Sequence, residues 1–434
     1  MSSSNETQRW SSELGFVMAT AAAAVGLGNI WRFPYIAGDS GGGTFIIAYI
    51  ICVVACGLPL MLLEISSGRA ERYSPVGMYR RLHKKTSWFG WLVVVLTGLI
   101  MSYYLVVTGW TLGYAVNSLT FSVTDFDTFT AGYQPLIYFF IVSGITGYVV
   151  WRGLKSIEKL SKILMPLLLI IILGLTGYSL TLEGRGEALA FFFTPELSEF
   201  ANPRVWLLAM GQAFYSLAVG QGYLITYGSF FPRKGNLPRA TASIAAFETI
   251  IALIAGLMIF PIVFTFNLDP DQGAELAFST LPKAFETIAI GPLLAILFFN
   301  LFFLAAISSC IAGMEVIKNT IKQEFRLPNG PATAVSFLPI IPLGILSALS
   351  YTPIGITILG RPFLDAMDFF GANQTVVTIG VIGGAIIAWT IPKRALTRSF
   401  GKTHQRIAHT IILITRFLPI PIILLLLLTL IIPN

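Results

Sequence analysis

Residues 21–34 read AAAAVGLGNIWRFP, and they interrupt the first long apolar run of the chain where a helix in a bilayer should be most regular. Gly26 and Gly28 lower the cost of leaving helical geometry. Pro34 lacks a donor and clashes with the preceding turn. An arginine such as Arg32 costs about 2.5–3.5 kcal/mol at this depth unless it faces water or a partner. Bare peptide groups are tolerated inside a bilayer only where protein or a water-filled cavity receives them. The stretch therefore predicts a helix that breaks at mid-membrane and turns its freed backbone toward a ligand.

The rest of the chain supplies the membrane context. Of 434 residues, 55% are hydrophobic and 11% charged, which excludes an ordinary soluble core. Eleven apolar runs are long enough to cross: 14–37, 43–68, 88–120, 134–150, 161–181, 203–230, 241–267, 292–324, 333–350, 363–390 and 407–432. Cys52, Cys56 and Cys310 all fall in these runs without metal-ligand spacing and read as buried free thiols. The opening MSSSNETQRWSSE has no cationic region leading into a short apolar core, so no cleaved signal is expected. Segment 270–290 is long and semi-apolar, and reads as short helices in an outer loop, a candidate lid.

Charge fixes the expected orientation. With residues 1–13 inside, the cytoplasmic segments collect 22 basic residues, from Arg9 through the Arg69–Lys85 cluster to Arg406. The outer segments collect only Arg185, Arg204, Lys283 and Arg361. That asymmetry places the N-terminus in the cytoplasm and, after eleven crossings of the cell membrane, the C-terminus outside. The net charge of +7 needs no other cause, and no nucleic-acid partner is expected. The partners are the lipid bilayer and a small molecule; oligomeric state stays open.

The sixth run repeats the anomaly of the first. GQAFYSLAVGQGYLITYGSFFP carries Gly211, Gly220 and Gly222 among Gln212, Ser216 and Gln221. Interrupted spans at equivalent places in two halves point to a binding site between inverted repeats. The fold expected is all-α, with two five-helix inverted repeats, 14–181 and 203–390, broken helices 1 and 6, and span 11 (407–432) as an appendage. Close helix packing is the plainer account of glycines in one span. It is a poor account of two such spans five helices apart, both rich in amides and hydroxyls.

Beyond this point the chain resembles a known family. AVGLGNIWRFPY (24–35), GGGTF (41–45), PLMLLEISSGR (59–69), SYYLVVTGWTLGYA (102–115), IEKLSKILMP (157–166), GQAFYSLAVGQG (211–222), AGLMIFP (255–261), AAISSCIAGME (305–315) and LDAMDF (364–369) are similar to the neurotransmitter:sodium symporters, the bacterial amino-acid transporters above all. The motifs fall in order through spans 1 to 10.

The resemblance implies a sodium-coupled symporter that takes up an amino acid by alternating access. A carboxylate suits the bare amides at a half-helix N-terminus; the resemblance assigns this to Leu27 and Gly28, with the Tyr104 hydroxyl. The amine would meet carbonyls of Ala24, Tyr215 and Ser216. Sodium needs hard oxygen ligands, and two sites are implied. One takes Ala24, Asn29, Ser216, Glu248 and the substrate carboxylate. The other takes Ala22, Val25 and Ala305 carbonyls with the Ser308 and Ser309 hydroxyls. Selectivity is expected from Ile100, Tyr104, Tyr215, Ala218, Gln221, Ser309 and Gly313. The small Ala218 and Gly313 favour a large hydrophobic or aromatic amino acid.

Several residues depart from the family pattern. Glu248 stands where Asn or Asp is usual, and Ala252 follows one turn on. Glu248 itself is then expected to supply the negative charge, making transport chloride-independent. Arg32 and Asp368 resemble the outer gate. The inner ion pair is missing at both ends, with Thr7 and Gln323 in its places; Arg9 and Glu324 are the expected substitutes. Ser156 replaces the glycine that often precedes Pro166, and Glu64 is expected to bond broken backbone. A non-cycling amino-acid sensor of the same fold is the alternative, supported only by the altered inner gate. An intramembrane enzyme is disfavoured, since HExxH and GxSxG are absent and the three histidines lie in cytoplasmic loops or flanks.

Overall fold

The computed structural model describes residues 9–120, 126–232, 234–268, 277–278, 281–288, 290–371, 374–392, 399–400, 405–418 and 422. The first span is broken as expected. Helix α1 (Glu13–Ala24) ends where Val25 turns extended, with ψ 105°. A π-helical turn, Gly28–Arg32, leads into α2 (Phe33–Asp39), which carries Pro34 in its first turn, where a missing donor costs nothing. The two halves bend by 53°.

The second break is longer, spanning residues 217–222. Helix α11 (Pro203–Ser216) stops, and α12 (Tyr223–Ser229) starts after a stretch holding Ala218, Gly220 and Gly222 at φ 55°, 79° and 77°. Gly220 has a second reason to be glycine. A Cβ there would lie 2.6 Å from the Gly380 Cα, so the broken strand of chain rests directly on the tenth span.

Between the breaks run α3 (Gly43–Cys52), α4 (Leu58–Glu71), α5 (Pro75–Leu82), α6 (Ser87–Leu119), α7 (Phe126–Ala131), α8 (Gln134–Arg152), α9 (Leu154–Ser179) and α10 (Arg185–Phe193). After them come α13 (Leu237–Thr265), α14 (Leu281–Glu286), α15 (Gly291–Phe325), α16 (Asn329–Phe337), α17 (Ile340–Leu349), α18 (Phe363–Gly371), α19 (Gln374–Thr390) and α20 (Gln405–Phe417). A two-residue hairpin pairs Thr357–Ile358 with Arg361–Pro362.

Among the described residues, eight helices are long and apolar enough to cross a membrane, or nine with the bent first pair taken as one. The sixth span is not among them because its halves, of 14 and 7 residues, are each too short alone. Half of the eleventh expected span lies outside the described residues, as do Thr7, Arg233 and about half of segment 270–290. Within that segment α14 is helical, and Phe278 is buried against Trp31, Trp110, Tyr114, Phe126 and Phe302. The three cysteines are free thiols.

The C-terminal halves of spans 2 and 6 pack backbone to backbone. A Cβ on Gly68 would overlap the Ile225 carbonyl oxygen, and one on Gly228 would fall 2.5 Å from that of Ile65. Arg72 then donates to the Ser229 and Phe231 carbonyls at 2.9 and 2.7 Å, capping the end of α12. We predict that Gly68→Val forces α4 and α12 apart and costs about 1–3 kcal/mol, as overpacking does. A melting curve of the purified protein reads it; an unchanged midpoint would contradict the packing.

Candidate functional site

The peptide groups freed by the two breaks are met by side chains. Gly26 N–H donates to Asn29 Oδ1 at 3.2 Å, and Leu27 N–H to the Tyr104 hydroxyl at 3.0 Å. The Gly28 carbonyl accepts from Gln212 Nε2 at 2.7 Å, and the Ala23 carbonyl from the Ser309 hydroxyl at 3.1 Å. On the other break, Gly220 N–H donates to Glu64 Oε1 at 2.9 Å, as expected for Glu64. Gln221 offers its carbonyl to the Thr97 hydroxyl at 2.7 Å. The partners come from several different spans, so the breaks are held by the whole bundle.

The breaks face one small cavity of about 20 Å³. Its walls include Ala24, Gly28, Ile100, Tyr104, Tyr215, Ala218, Gln221 and Ser309. Leu27 lies above it, on the wall of a larger outer cavity of about 440 Å³ that shares Gly28, Tyr104 and Tyr215. Ser216 is buried behind the small cavity, accepting from Gln212 Nε2 at 2.8 Å. Gly313 differs from expectation: the room beside it is taken, since a Cβ there would overlap Met101 Sδ and lie 2.6 Å from Tyr223 Oη. Met101 and Tyr223 both line the cavity, and sequence reasoning missed them. A methionine on an apolar helix carries no signal that separates a pocket from a core.

Glu248 is fully buried beside Asn29. Asn29 Nδ2 donates to Glu248 Oε1 at 2.5 Å and to the Glu248 carbonyl at 3.3 Å. Tyr49 donates to both carboxylate oxygens at 3.3 Å, and Thr249 to Oε2 at 3.4 Å. Among the described residues no lysine or arginine forms an ion pair with Glu248. An ionised carboxylate met only by neutral donors is costly in a dry interior, and a small cation relieves that cost. With the Asn29 Oδ1, the Ser216 hydroxyl and the Ala24 carbonyl nearby in sequence or fold, the donor set is all hard oxygen, which suits sodium.

At the second expected ion site, Ser308 donates to the Ala305 carbonyl at 2.8 Å, and Ser309 bridges the Ala23 and Ala305 carbonyls at 3.1 and 3.5 Å. This brings α15 against the end of α1, next to Ala22 and Val25. Both hydroxyls are back-bonded in part, as serines in apolar helices usually are.

Arg32 and Asp368 share the wall of the outer cavity. Arg32 donates to Gln212 Oε1 at 3.2 Å and lies over the Tyr215 ring at 4.9 Å. The inner end corrects an expectation. Glu324 is not Arg9's partner: it makes a two-pronged pair with Arg80 of α5 at 2.6 and 2.7 Å. That bond is the main cause holding the Arg80 guanidinium above its ordinary range. Gln323 instead accepts the Ser74 N–H at 2.8 Å. The sequence points one residue along the chain for the substitute, but the charge on α5 reaches Glu324 first. Glu315, given no role from sequence, pairs with Lys318 at 2.8 Å, both buried.

The profile of the sodium:neurotransmitter symporter family matches residues 7–134 and 122–433. The chain belongs to this family. YhdH of Bacillus subtilis, an uncharacterized sodium-dependent transporter, is 34% identical over 398 residues, covering 88% of this chain and 87% of that one. An uncharacterized sodium-dependent transporter of Methanocaldococcus jannaschii is 32% identical, covering 88% and 82%. The crystal structure of MhsT in complex with L-phenylalanine aligns with a TM-score of 0.89 at 36% identity, covering 97% of this chain and 99% of that one. The protein is a multi-pass membrane protein of a sodium-dependent transporter family.

Because Arg80 rather than Arg9 holds Glu324, Arg9→Ala leaves thermal stability unchanged. Arg80→Ala lowers it by up to about 1 kcal/mol, the range for a half-exposed pair. Melting curves of the two variants at low and high salt check this, and only the Arg80 effect should fade with salt.

Proposed function

We propose that the protein is a sodium-coupled symporter that takes up a large hydrophobic or aromatic amino acid by alternating access, without chloride. The observation that carries this reading is the convergence of both broken spans on one cavity, with Glu248 and Asn29 bonded to each other nearby. An amino acid offers a carboxylate and an amine. The Gly28 N–H, which donates to no acceptor among the described residues, and the Tyr104 hydroxyl suit the first; the Ala24, Tyr215 and Ser216 carbonyls suit the second. Sodium sharing the substrate carboxylate makes each ligand raise the affinity of the other.

Two ion sites are proposed. The first is Ala24, Asn29, Ser216 and Glu248; the second is Ala22, Val25, Ala305, Ser308 and Ser309. Glu248 supplies the fixed negative charge, and Ala252 one turn on has none to offer. Ile100, Met101, Tyr104, Tyr215 and Ala218 give the cavity apolar walls, and the flexible Met101 over Gly313 lets them adapt to side-chain size. MhsT, the structural neighbour, holds L-phenylalanine. Arg32 and Asp368 form the proposed outer gate. The basic cytoplasmic segments support an N-terminus inside the cell membrane and a C-terminus outside. The sensor reading drew on a missing inner closure, and bonds from Trp10, Ser11 and Glu13 offer another one.

In proteoliposomes, an inward sodium gradient should drive uptake of labelled phenylalanine, tryptophan or leucine, and replacing chloride with gluconate should leave the rate unchanged. Glu248→Gln should weaken sodium affinity roughly tenfold or more, because one formal ligand charge is lost. Uptake that is equal in potassium and sodium rejects the coupling, and chloride stimulation of the wild type rejects the role of Glu248.

Competition by all twenty amino acids tests the pocket. Large apolar side chains should compete best and acidic ones not at all. Gln221→Leu should weaken tryptophan relative to phenylalanine by about three- to tenfold if the amide bonds an indole N–H; an unchanged ratio removes Gln221 from selectivity.

A further inference from the structure

The start of α1 is fastened to three neighbours at the cytoplasmic side. Trp10 donates from Nε1 to the Tyr227 carbonyl at 3.0 Å and from its backbone to the Phe230 carbonyl at 3.1 Å, with its ring edge-on to Tyr227. Glu13 Oε2 accepts the Asn236 N–H at 2.8 Å, where α13 begins. Ser11 reaches the other way, to α9. Its N–H donates to Glu158 Oε2 at 2.9 Å, and its hydroxyl donates to Oε1. Lys162, one turn along α9, pairs with the same Oε1 at 2.6 Å. Gly15 completes the arrangement: a Cβ there would overlap Glu158 Oε1, so the carboxylate lies flat on the α1 backbone.

We propose that Glu158 is the inner latch of this transporter, a positioning residue that holds α1 against α9 by its bonds to Ser11 and so keeps the cytoplasmic side shut. The proposal rests on the alternating-access reading above. The latch is built for reversible opening. Glu158 is buried at 6% exposure, yet its partners Ser11 and Lys162 reach solvent. When α1 swings out, Lys162 keeps the carboxylate paired, so opening leaves no orphan charge. An ion pair between the two moving parts would strand both charges. The other two fastenings join α1 to α12 and α13, whereas Ser11–Glu158 joins it to α9. Sodium bound at the α1–α15 contact pulls on the same helix, which links ion occupancy to the latch.

The test uses the full chain in proteoliposomes, with Cys52, Cys56 and Cys310 replaced by alanine and Ala19→Cys on buried α1 as reporter. A charged thiol reagent is supplied at the cytoplasmic face, in sodium or in potassium. Sodium should slow labelling of the control, which carries no change at Glu158. In Glu158→Ala and Gly15→Ala, labelling in sodium should rise at least about tenfold, since both Ser11 hydrogen bonds to the carboxylate are lost or displaced. Glu158→Gln keeps an acceptor for the Ser11 N–H but sets an amide donor against Lys162 where Oε1 accepted, and labelling should fall between the control and Glu158→Ala. Labelling of Glu158→Ala in sodium equal to the control overturns the latch. If that variant does not purify as a monodisperse protein, Ser11→Ala takes its place: a tenfold rise supports the latch, and labelling equal to the control overturns it. If sodium fails to slow labelling of the control itself, the alternating-access reading has failed rather than the latch alone, and sodium-dependent amino-acid binding by the same sample separates the two.

Discussion

Peptide groups that leave helical hydrogen bonding inside a bilayer must find partners, and the rest of this structure follows from how that is done. Tyr104, Gln212, Ser309, Glu64 and Thr97 each give one polar atom to a broken backbone, and Asn29 gives one to its own turn. An unpaired buried donor or acceptor costs about 1–3 kcal/mol, so these bonds decide whether the breaks can exist at all. Satisfying them also commits the polar side chains to one place. The Gly28 amide is left without an acceptor among the described residues, and the Glu248 carboxylate is met only by neutral donors, which is why the proposed ligands are placed there. The same residues thus hold the break open and define what can enter it.

Much of this was legible from the chain itself. Gly26, Gly28 and Pro34 in one apolar run, and Gly220 and Gly222 in another, mark positions where a regular helix is disfavoured, and both breaks lie there. The motif resemblance then located Tyr104, Asn29 and Glu248, and the structure brings all three to the breaks. What was not legible depends on partners far apart in sequence. Nothing in the string KQEF shows that Glu324 will face Arg80 some 244 positions earlier rather than Arg9. Nothing in GLIMSYY distinguishes Met101, which fills the space at Gly313, from an ordinary core side chain. Helix periodicity reports which residues share a face; it does not report which neighbour that face meets.

The two ends of the molecule close by different chemistry. The outer side has a charged residue on each wall of a cavity of about 440 Å³, roofed by a cluster of aromatic rings around Phe278. The inner closure, among the described residues, is built from backbone carbonyls, one indole and hydroxyl-to-carboxylate bonds. Charges facing across a wet cavity are screened and tolerate separation. Hydrogen bonds to backbone are short-ranged and break within a fraction of an ångström. An outer gate of the first kind can stay partly open while substrate approaches, whereas an inner closure of the second kind is either made or lost. In the transport cycle proposed above, that asymmetry favours loading from outside before the inner side yields, the order that an inward sodium gradient requires. In the same proposal, direct bonds from α1 to α9, α12 and the start of α13 take the place of the missing inner ion pair.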